Sequence, residues 1–539
     1  MTGSIFAASS MVSDAAEQMA ICSAGRIEVS TDPLYLRATN ARATRRVGIV
    51  SGGGSGHEPM HSGFLGPGGL DAVAPGAVFA SPHNRQIYEA ARAAARAGGV
   101  LLVVKNYTGD RINFSIAAER LRHDGIAVAT VLVDEDVSSR DAGIGGRGTA
   151  ATVLVEKILG AAADAGAGLD ELQVLGDRAV AASHSIGVAL RAQTVPSSSE
   201  PAFVLAPGDV EYGVGIHGER GIRQQHVESL AQLVDQMVED LLASLGGHDP
   251  LVLLVNNLGG LTELETAAVT AAARTALGGR GSELASVIAG QYCTALDMRG
   301  FSLTVLRAEP EFLPLLFAPH ETEGLPIITP LVEPDALEPT AVLSSAAPGE
   351  ASSGLDRLEA QVVAWHPFLT DLDRVAGDGD FGDNLLAGIR AARSRSCSDL
   401  ERLAGGFLDE VGGTSGPLFG LLFQELDAAA DWTSGLGSAA TAIARVGDAG
   451  LGDRTLLDAL IPAAAAAEAG GGPEAVVRAA LDGAIATTRL KANRGRAVYL
   501  DERVLGYADA GAVGLVLVLQ WLAGTDVPVQ AGELSRSAW

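Results

Sequence analysis

Residues 46–59 read RVGIVSGGGSGHEP. An apolar, β-branched run enters a glycine-rich stretch and leaves it on His57, Glu58 and Pro59. A run that is apolar throughout, rather than alternating, suits a strand covered on both faces, as in a parallel sheet. Glycines beyond such a strand offer backbone N–H groups to a ligand. No Gly-Lys-Ser/Thr follows, so this is not a phosphate loop of that kind, and Glu58-Pro59 breaks the helix start that a dinucleotide fingerprint needs. A flexible turn is the plain alternative, and His57 with Glu58 weighs against it.

Further runs of this kind stand at 100–104 (VLLVV), 126–133 (IAVATVLV), 251–255 (LVLLV) and 301–307 (FSLTVLR), with alanine-rich helical stretches between them. Open α/β sheets bind ligands beyond the carboxyl ends of their strands. The loops to examine are therefore 51–59, KNYTGD at 105–110 and NNLGG at 256–260. In the second, Asp110 could accept a hydroxyl proton while Lys105 orients an oxygen. A solvated turn with a salt bridge is the competing reading. His217, in GVGIHGE (213–219), is flanked by glycines, so a small substrate could reach its ring as base or nucleophile. A turn histidine is the alternative there. Seven of the ten histidines have no such setting and read as surface or core residues.

Composition breaks at 334–354, PDALEPTAVLSSAAPGEASSG, which has no period and reads as a flexible linker. It separates an α/β part, 1–333, from a part, 355–539, whose segments all read as helices. The helical part opens with DRVAGDGDFGDN at 373–384. Asp373, Asp378 and Asp380 are hard oxygen donors of the kind Mg²⁺ takes, and no glutamate stands where a Ca²⁺-binding EF-hand loop needs one. A solvated acidic loop is the alternative. Downstream, GGTSGP (412–417) is rich enough in donors to hold phosphates beside such a metal. A metal–nucleotide part tethered to a small-molecule cleft implies phosphoryl transfer.

The chain has 539 residues, a net charge of −27 and 47% hydrophobic residues. That excludes a disordered protein and makes most of the surface repel nucleic acid and anionic membranes. Three scattered cysteines give neither a disulfide framework nor a zinc spacing. The N-terminal stretch lacks a basic region followed by an apolar one, and no run is apolar enough to span a membrane. The reading is a soluble cytoplasmic protein without nucleic-acid or membrane partners.

These motifs carry a resemblance. SGGGSGHEPMHSGFLG, FASP, VKNYTGDRINF, GVGIHGERG and ALDMRGFSLT resemble the substrate (K) domain of dihydroxyacetone kinases. LDRVAGDGDFGDN, GGTSGPLFG, GDRTLLDALIPA and KANRGRAVYLDE resemble the nucleotide-binding (L) domain. Both follow in the family's order, as in its single-chain, ATP-dependent type. The resemblance implies two α/β subdomains and then an eight-helix barrel. It implies that His217 forms a hemiaminal with a ketose carbonyl, and that His57 and Asp110 handle the proton of the reacting hydroxyl. Gly54, Ser55, Gly56, His57, Lys105 and Asp110 match substrate-contacting positions. Asp373, Asp378 and Asp380 match the ligands of two Mg²⁺ ions. Asn384, Gly413, Thr414, Ser415, Arg496, Asp509 and Gly511 lie in segments that contact ATP. A homodimer is also implied.

The expected substrate is dihydroxyacetone, with four-carbon erythrulose as the alternative. A flavin-nucleotide cyclising lyase and a non-catalytic ketose sensor are alternatives of other classes. Several positions depart from the family pattern. Phe381 stands for His or Thr, Asp383 is an added acid, Arg220 replaces a proline, and His83-Asn84-Arg85 is unusually polar.

Overall fold

The computed structural model describes residues 10–140, 145–196, 200–246, 250–333, 353–377, 379–393, 395, 397–494, 498 and 502–536. The chain divides into two compact units, Met1–Asp335 and Ala336–Trp539. Of the linker expected at 334–354, residues 334–352 lie outside the described residues, and Ser353 opens a helix.

In the first unit the run at 46–50 enters β3 (Gly48–Ser55), near the centre of a six-stranded sheet. The other strands are β1 (Ile27–Thr31), β2 (Leu34–Ala38), β4 (Ala72–Val78), β5 (Val100–Lys105) and β6 (Val128–Val133), in the order β1-β2-β4-β3-β5-β6. The pairs β3–β4, β3–β5 and β5–β6 are parallel, with Val50 opposite Ala72 and Leu102. β3 does not stop at the glycines; it runs through them. A Cβ on Gly52 would come within 2.4 Å of the Ala74 carbonyl oxygen, and one on Gly54 within 2.8 Å of the Ala80 amide nitrogen. Only glycine lets the chain pass that close, so the glycines continue the strand as well as shaping its end.

The second sheet holds β7 (Ser183–Arg191), β8 (Asp209–Tyr212), β9 (Arg223–His226), β10 (Leu251–Asn257), β11 (Leu284–Gly290) and β12 (Arg299–Arg307), in the order β11-β10-β12-β7-β8-β9. Here the sequence reading of parallel strands needs correction. β12 runs antiparallel to both β10 and β7, and only β10–β11 is a parallel pair. A strand covered on both faces is apolar whichever way its neighbours run, so composition does not report direction.

Among its described residues the second unit contains eight helices of twelve or more residues: Ser353–Ala376, Phe381–Ala392, Asp399–Glu410, Ser415–Asp427, Leu436–Gly447, Leu457–Glu468, Pro473–Ala486 and Ala510–Ala523. Each packs on the next, and the last, Ala510–Ala523, returns to the first, closing a ring around a core that includes Phe407, Phe419 and Phe423. The closure is pinned by Trp521 Nε1, which donates to the Gly354 carbonyl at 2.8 Å, and by Gln361 bonded to Gln520. Among the described residues this unit has no sheet, and in neither unit is a helix long and apolar enough to cross a membrane.

Candidate active site

Four segments of the first unit converge beyond the carboxyl ends of its strands. β3 delivers Gly53 to His57, β5 ends on Lys105, and Asp110 lies in the first turn of the following helix, Thr108–His123. The loop after β8 carries His217. His57 and Lys105 are fully buried and Asp110 nearly so. A solvated turn with a Lys105–Asp110 ion pair is therefore not what forms. Instead both side chains border Gly53: a Cβ there would lie 2.5 Å from Lys105 Nζ and 3.7 Å from Asp110 Oδ2. Asp110 Oδ1 is buried with no hydrogen-bond partner, an acceptor aimed at something the protein does not supply.

The histidines form a pair. His57 Nε2 stands 3.0 Å from His217 Nε2. The far nitrogen of each faces an acceptor: His57 Nδ1 lies 2.7 Å from the Thr294 carbonyl oxygen, and His217 Nδ1 lies 3.1 Å from Glu219 Oε1. Both Nδ1 atoms therefore carry protons, and two bare lone pairs cannot face each other at 3.0 Å, so the Nε2 atoms share one proton. Burial, the nearby His217 and the Lys105 charge push the His57 pKa well down. Burial opposes ionisation of Glu219, yet its hydrogen bond to His217 and the charge there hold its carboxyl down at about 2. Glu219 also accepts from the His217 amide at 2.9 Å, so it fixes the ring and the backbone together.

Phe79 stacks on His57 with centroids 5.3 Å apart, and the edge of Tyr107 meets His217 at 4.5 Å. These rings make an apolar collar around a ring nitrogen whose side chain is 17% exposed. The Tyr107 hydroxyl is buried without a partner.

Ser55 and Gly56 have their donors engaged within the protein. Ser55 Oγ donates to the Gly76 carbonyl at 2.7 Å, and the Gly56 amide donates to Glu58 at 2.9 Å. Gly54 lies between Gly53 and this turn.

The residues that sequence reading left as ordinary are Glu219, Thr294, Phe79, Tyr107, His61 and Glu156. His61 is buried, as a core histidine would be, and it reaches the site: its Nε2 lies 2.5 Å from Lys105 Nζ and its Nδ1 2.7 Å from Glu156 Oε1. A signal existed, since Glu156 interrupts the apolar run ATVLVEKILG (151–160) where a carboxylate is costly to bury.

In the second unit Asp373 and Asp380 meet at the start of the helix Phe381–Ala392. Asp373 Oδ2 accepts from the amides of Asp380 and Phe381 at 2.9 and 3.0 Å. Asp378 and Arg496 lie outside the described residues. A Cβ on Gly413 would come 4.0 Å from Asn384 Nδ2, which places the 412–415 loop beside that helix start. Thr414 and Ser415 open the helix Ser415–Asp427.

Asp509 caps Ala510–Ala523 through the Ala512 amide, and a Cβ on Gly511 would lie 3.1 Å from its Oδ1. Burial pushes the Asp509 carboxyl up to about 6, with Asp458 and Asp373 adding to the rise and Arg454 opposing it. A site with this surplus of carboxylate oxygens fits a hard divalent cation, whose charge would offset the repulsion. Among the described residues alone, no three His, Cys, Asp or Glu side chains are grouped to hold a metal.

The departures from the family pattern have local reasons. Phe381 packs on Phe419 and fills the space beside Gly514, so it belongs to the barrel core. Asp383 accepts from His366 Nε2 at 2.8 Å. Arg220 pairs with Glu211 and lies over Phe203. His83 and Gln86 cap the helix Asn84–Ala94, while Asn84 accepts from Arg120 and Arg85 pairs with Asp32.

Residues 17–324 match the Dak1 domain and residues 375–524 the DAK2 domain. The chain is 37% identical over 512 residues to the dihydroxyacetone kinase of Citrobacter freundii, covering 89% of this chain and 91% of that one. It is 36% identical over 522 residues to the human triokinase/FMN cyclase, covering 88% and 90%. The crystal structure of the C. freundii kinase in complex with AMP-PNP and Mg²⁺ superposes with a TM-score of 0.65 at 31% identity, covering 97% of this chain and 99% of that one.

Proposed function

The chain belongs to the dihydroxyacetone kinase family, with both domains in one polypeptide, and from that premise we propose that it transfers the terminal phosphoryl group of ATP to a hydroxyl of a short ketose, dihydroxyacetone first. The observation that carries this reading is the His57–His217–Glu219 arrangement. Glu219 keeps the proton on Nδ1 of His217, so Nε2 is the nitrogen that can attack a carbonyl carbon. A ketone entering the collar of Phe79 and Tyr107 displaces the His57 contact. As the C–N bond forms, the proton shared by the two Nε2 atoms passes to the carbonyl oxygen, leaving a hemiaminal. The single positive charge that the histidine pair carried then resides on the alkylated His217 ring, beside the Glu219 carboxylate.

Capture at one carbon fixes the rest of a three-carbon substrate. Lys105 and Asp110, set together over Gly53, then act on the terminal hydroxyl: Lys105 donates to its oxygen and Asp110 accepts its proton. Asp110 Oδ1, buried and unpartnered, supports that role. Gly54, Ser55 and Gly56 line the same strand end.

In the second unit Asp373, Asp378 and Asp380 would hold two Mg²⁺ ions, which neutralise the phosphate charge when ATP is bound. Asn384, Gly413, Thr414, Ser415, Arg496, Asp509 and Gly511 form the nucleotide segment. The domain limits 1–333 and 355–539, a cytoplasmic location and a homodimer complete the reading. The human relative's name pairs triokinase with FMN cyclase, which favours flavin-nucleotide cyclisation as a secondary activity. That activity would use the aspartates and not His217.

The test is an ATP-consumption screen over dihydroxyacetone, both erythrulose enantiomers, glyceraldehyde and glycerol. The ketoses should stimulate ATP turnover and glycerol should not. Turnover indifferent to every ketose would contradict the proposal.

A further inference from the structure

Behind Lys105 lies a buried chain of polar groups that the reaction, as derived above, does not use. Lys105 Nζ sits 2.5 Å from His61 Nε2, and His61 Nδ1 sits 2.7 Å from Glu156 Oε1 and 3.1 Å from Ser51 Oγ. All four side chains are 4% exposed or less. The hydrogen positions follow from the partners. Ser51 Oγ donates its single proton to the Val103 carbonyl at 2.9 Å, so it can only accept from His61. Glu156 is also an acceptor. His61 Nδ1 therefore carries the ring proton, Nε2 presents its lone pair, and Lys105 donates to it.

The three groups are placed by different elements. His61 opens the turn into the short helix Ser62–Phe64, Lys105 ends β5, and Glu156 projects from the helix Ala151–Asp164. That helix is itself anchored at its start by Glu135, which accepts from the Thr149 and Ala151 amides.

Resting on the reading that Lys105 serves the ketose, we infer that His61 and Glu156 are positioning residues that hold the Lys105 ammonium charged and aimed across Gly53 at the substrate hydroxyl. A lysine stem has four rotatable bonds and its ammonium three donors, so an unrestrained Lys105 would sample many directions. One donor anchored on His61 leaves the others facing the spot that Asp110 also borders. Burial disfavours a charged group that has no opposing charge nearby. Here the Glu156 carboxylate, reached through a neutral imidazole, supplies the opposing charge without forming an ion pair that would pull Lys105 off the substrate. Burial, followed by the Lys105 charge among the opposing contributions, keeps the His61 pKa below its ordinary value despite Glu156, in keeping with a neutral ring. The other titratable groups around Lys105 are Asp110, His57 and Cys293, with Glu135 beyond Cys293.

The experiment compares Glu156→Gln with the wild-type chain. The amide oxygen can still accept from His61 Nδ1, so contact is kept and only the charge is removed. The alkaline limb of the kcat–pH profile for the ketose should move down by about one pH unit, with the KM for ATP unchanged. A profile that superposes on wild type would make the pair merely structural and overturn the inference. A second measurement does not depend on turnover: the ring ¹⁵N shifts of His61 in the intact protein should show a neutral imidazole protonated at Nδ1 from pH 6 to 9. A proton on Nε2, or a doubly protonated ring at neutral pH, would also overturn it. If wild-type protein shows no ketose-dependent turnover at all, it is the kinase reading that fails, and the ring measurement still decides what His61 does.

Discussion

In the first unit Lys105, His57 and Asp110 are all but inaccessible, and the nitrogens of His57, His61 and Lys105 each face a partner from another strand, loop or helix. In the second, Asp380 and Asp383 stand exposed on a helix start, and Asp373 is held by two backbone amides. The first site is finished by the protein: tautomers, ring orientations and the lysine direction are fixed before any substrate arrives. The second concentrates carboxylates and leaves their mutual repulsion for a cation and a nucleotide to relieve. Orientation of a small neutral sugar must come from the fold, whereas a highly charged triphosphate tail with its metal brings strong organising forces of its own.

The sharpest way to break that comparison is at the second site. Asp380→Ala should lower ATP turnover by about 10³-fold or more, because each carboxylate is needed to place the metal charge. Ketose binding measured by calorimetry should be unchanged. Near-normal turnover would remove Asp380 from the metal site, and lost ketose binding would show that the two sites are not independent. At the first site, Asp110→Asn should cut kcat by about 10²–10⁴-fold while KM for the ketose moves little, as expected for a placed base. Loss of affinity alone would make Asp110 a binding residue.

Much of this was legible in the sequence, and the misses have physical causes. A glycine run at a strand end, a rare lysine and a histidine between glycines announce a cleft because few structural needs explain them. Glu219, two residues beyond His217, could have been read as its partner, since that spacing lets the carboxylate fold back on the ring. The Thr294 carbonyl could not, because a backbone acceptor has no sequence signature. His61 and Glu156 lie 95 residues apart, and only the packing of the Ala151–Asp164 helix against the first sheet brings them together. Strand direction in the second sheet was hidden because burial on two faces erases the alternation that would mark it. Phe381 read as a departure at the metal loop because the loop and the barrel core share adjacent residues there.

Cutting the chain within 334–354 should have a moderate effect. If the segment is a tether, both pieces should stay folded, and mixing them at high concentration should restore part of the turnover, since a tether mainly sets effective concentration. Pieces that aggregate would move the boundary.

The smallest expected effect is on stability. Burial lowers the pKa values of His57 and His61, and burial with the Arg140 and Arg307 charges brings His184 down to about 4. These rings stay neutral in the fold but take up protons when unfolded. The unfolded state therefore binds more protons below about pH 6.5, and stability falls from there toward pH 4. The thermal midpoint of the intact chain should drop between pH 7 and pH 5, and His184→Gln, outside the cleft, should lessen the drop by a few degrees at most. A midpoint independent of pH in that window would contradict the burial of neutral rings.

Covalent capture of a ketone by His217 is the claim on which the contrast rests, and glycerol tests it most directly. Glycerol matches dihydroxyacetone in carbon count and terminal hydroxyls but has no carbonyl for Nε2 to attack. The measurement is the ratio of kcat/KM for dihydroxyacetone to that for glycerol, in wild type and in His217→Ala. The account predicts a large ratio in wild type that collapses in the variant through loss of ketose activity, with the glycerol rate little changed. A wild-type enzyme that phosphorylates glycerol as well as the ketose, or a variant that still selects the ketose, would contradict it.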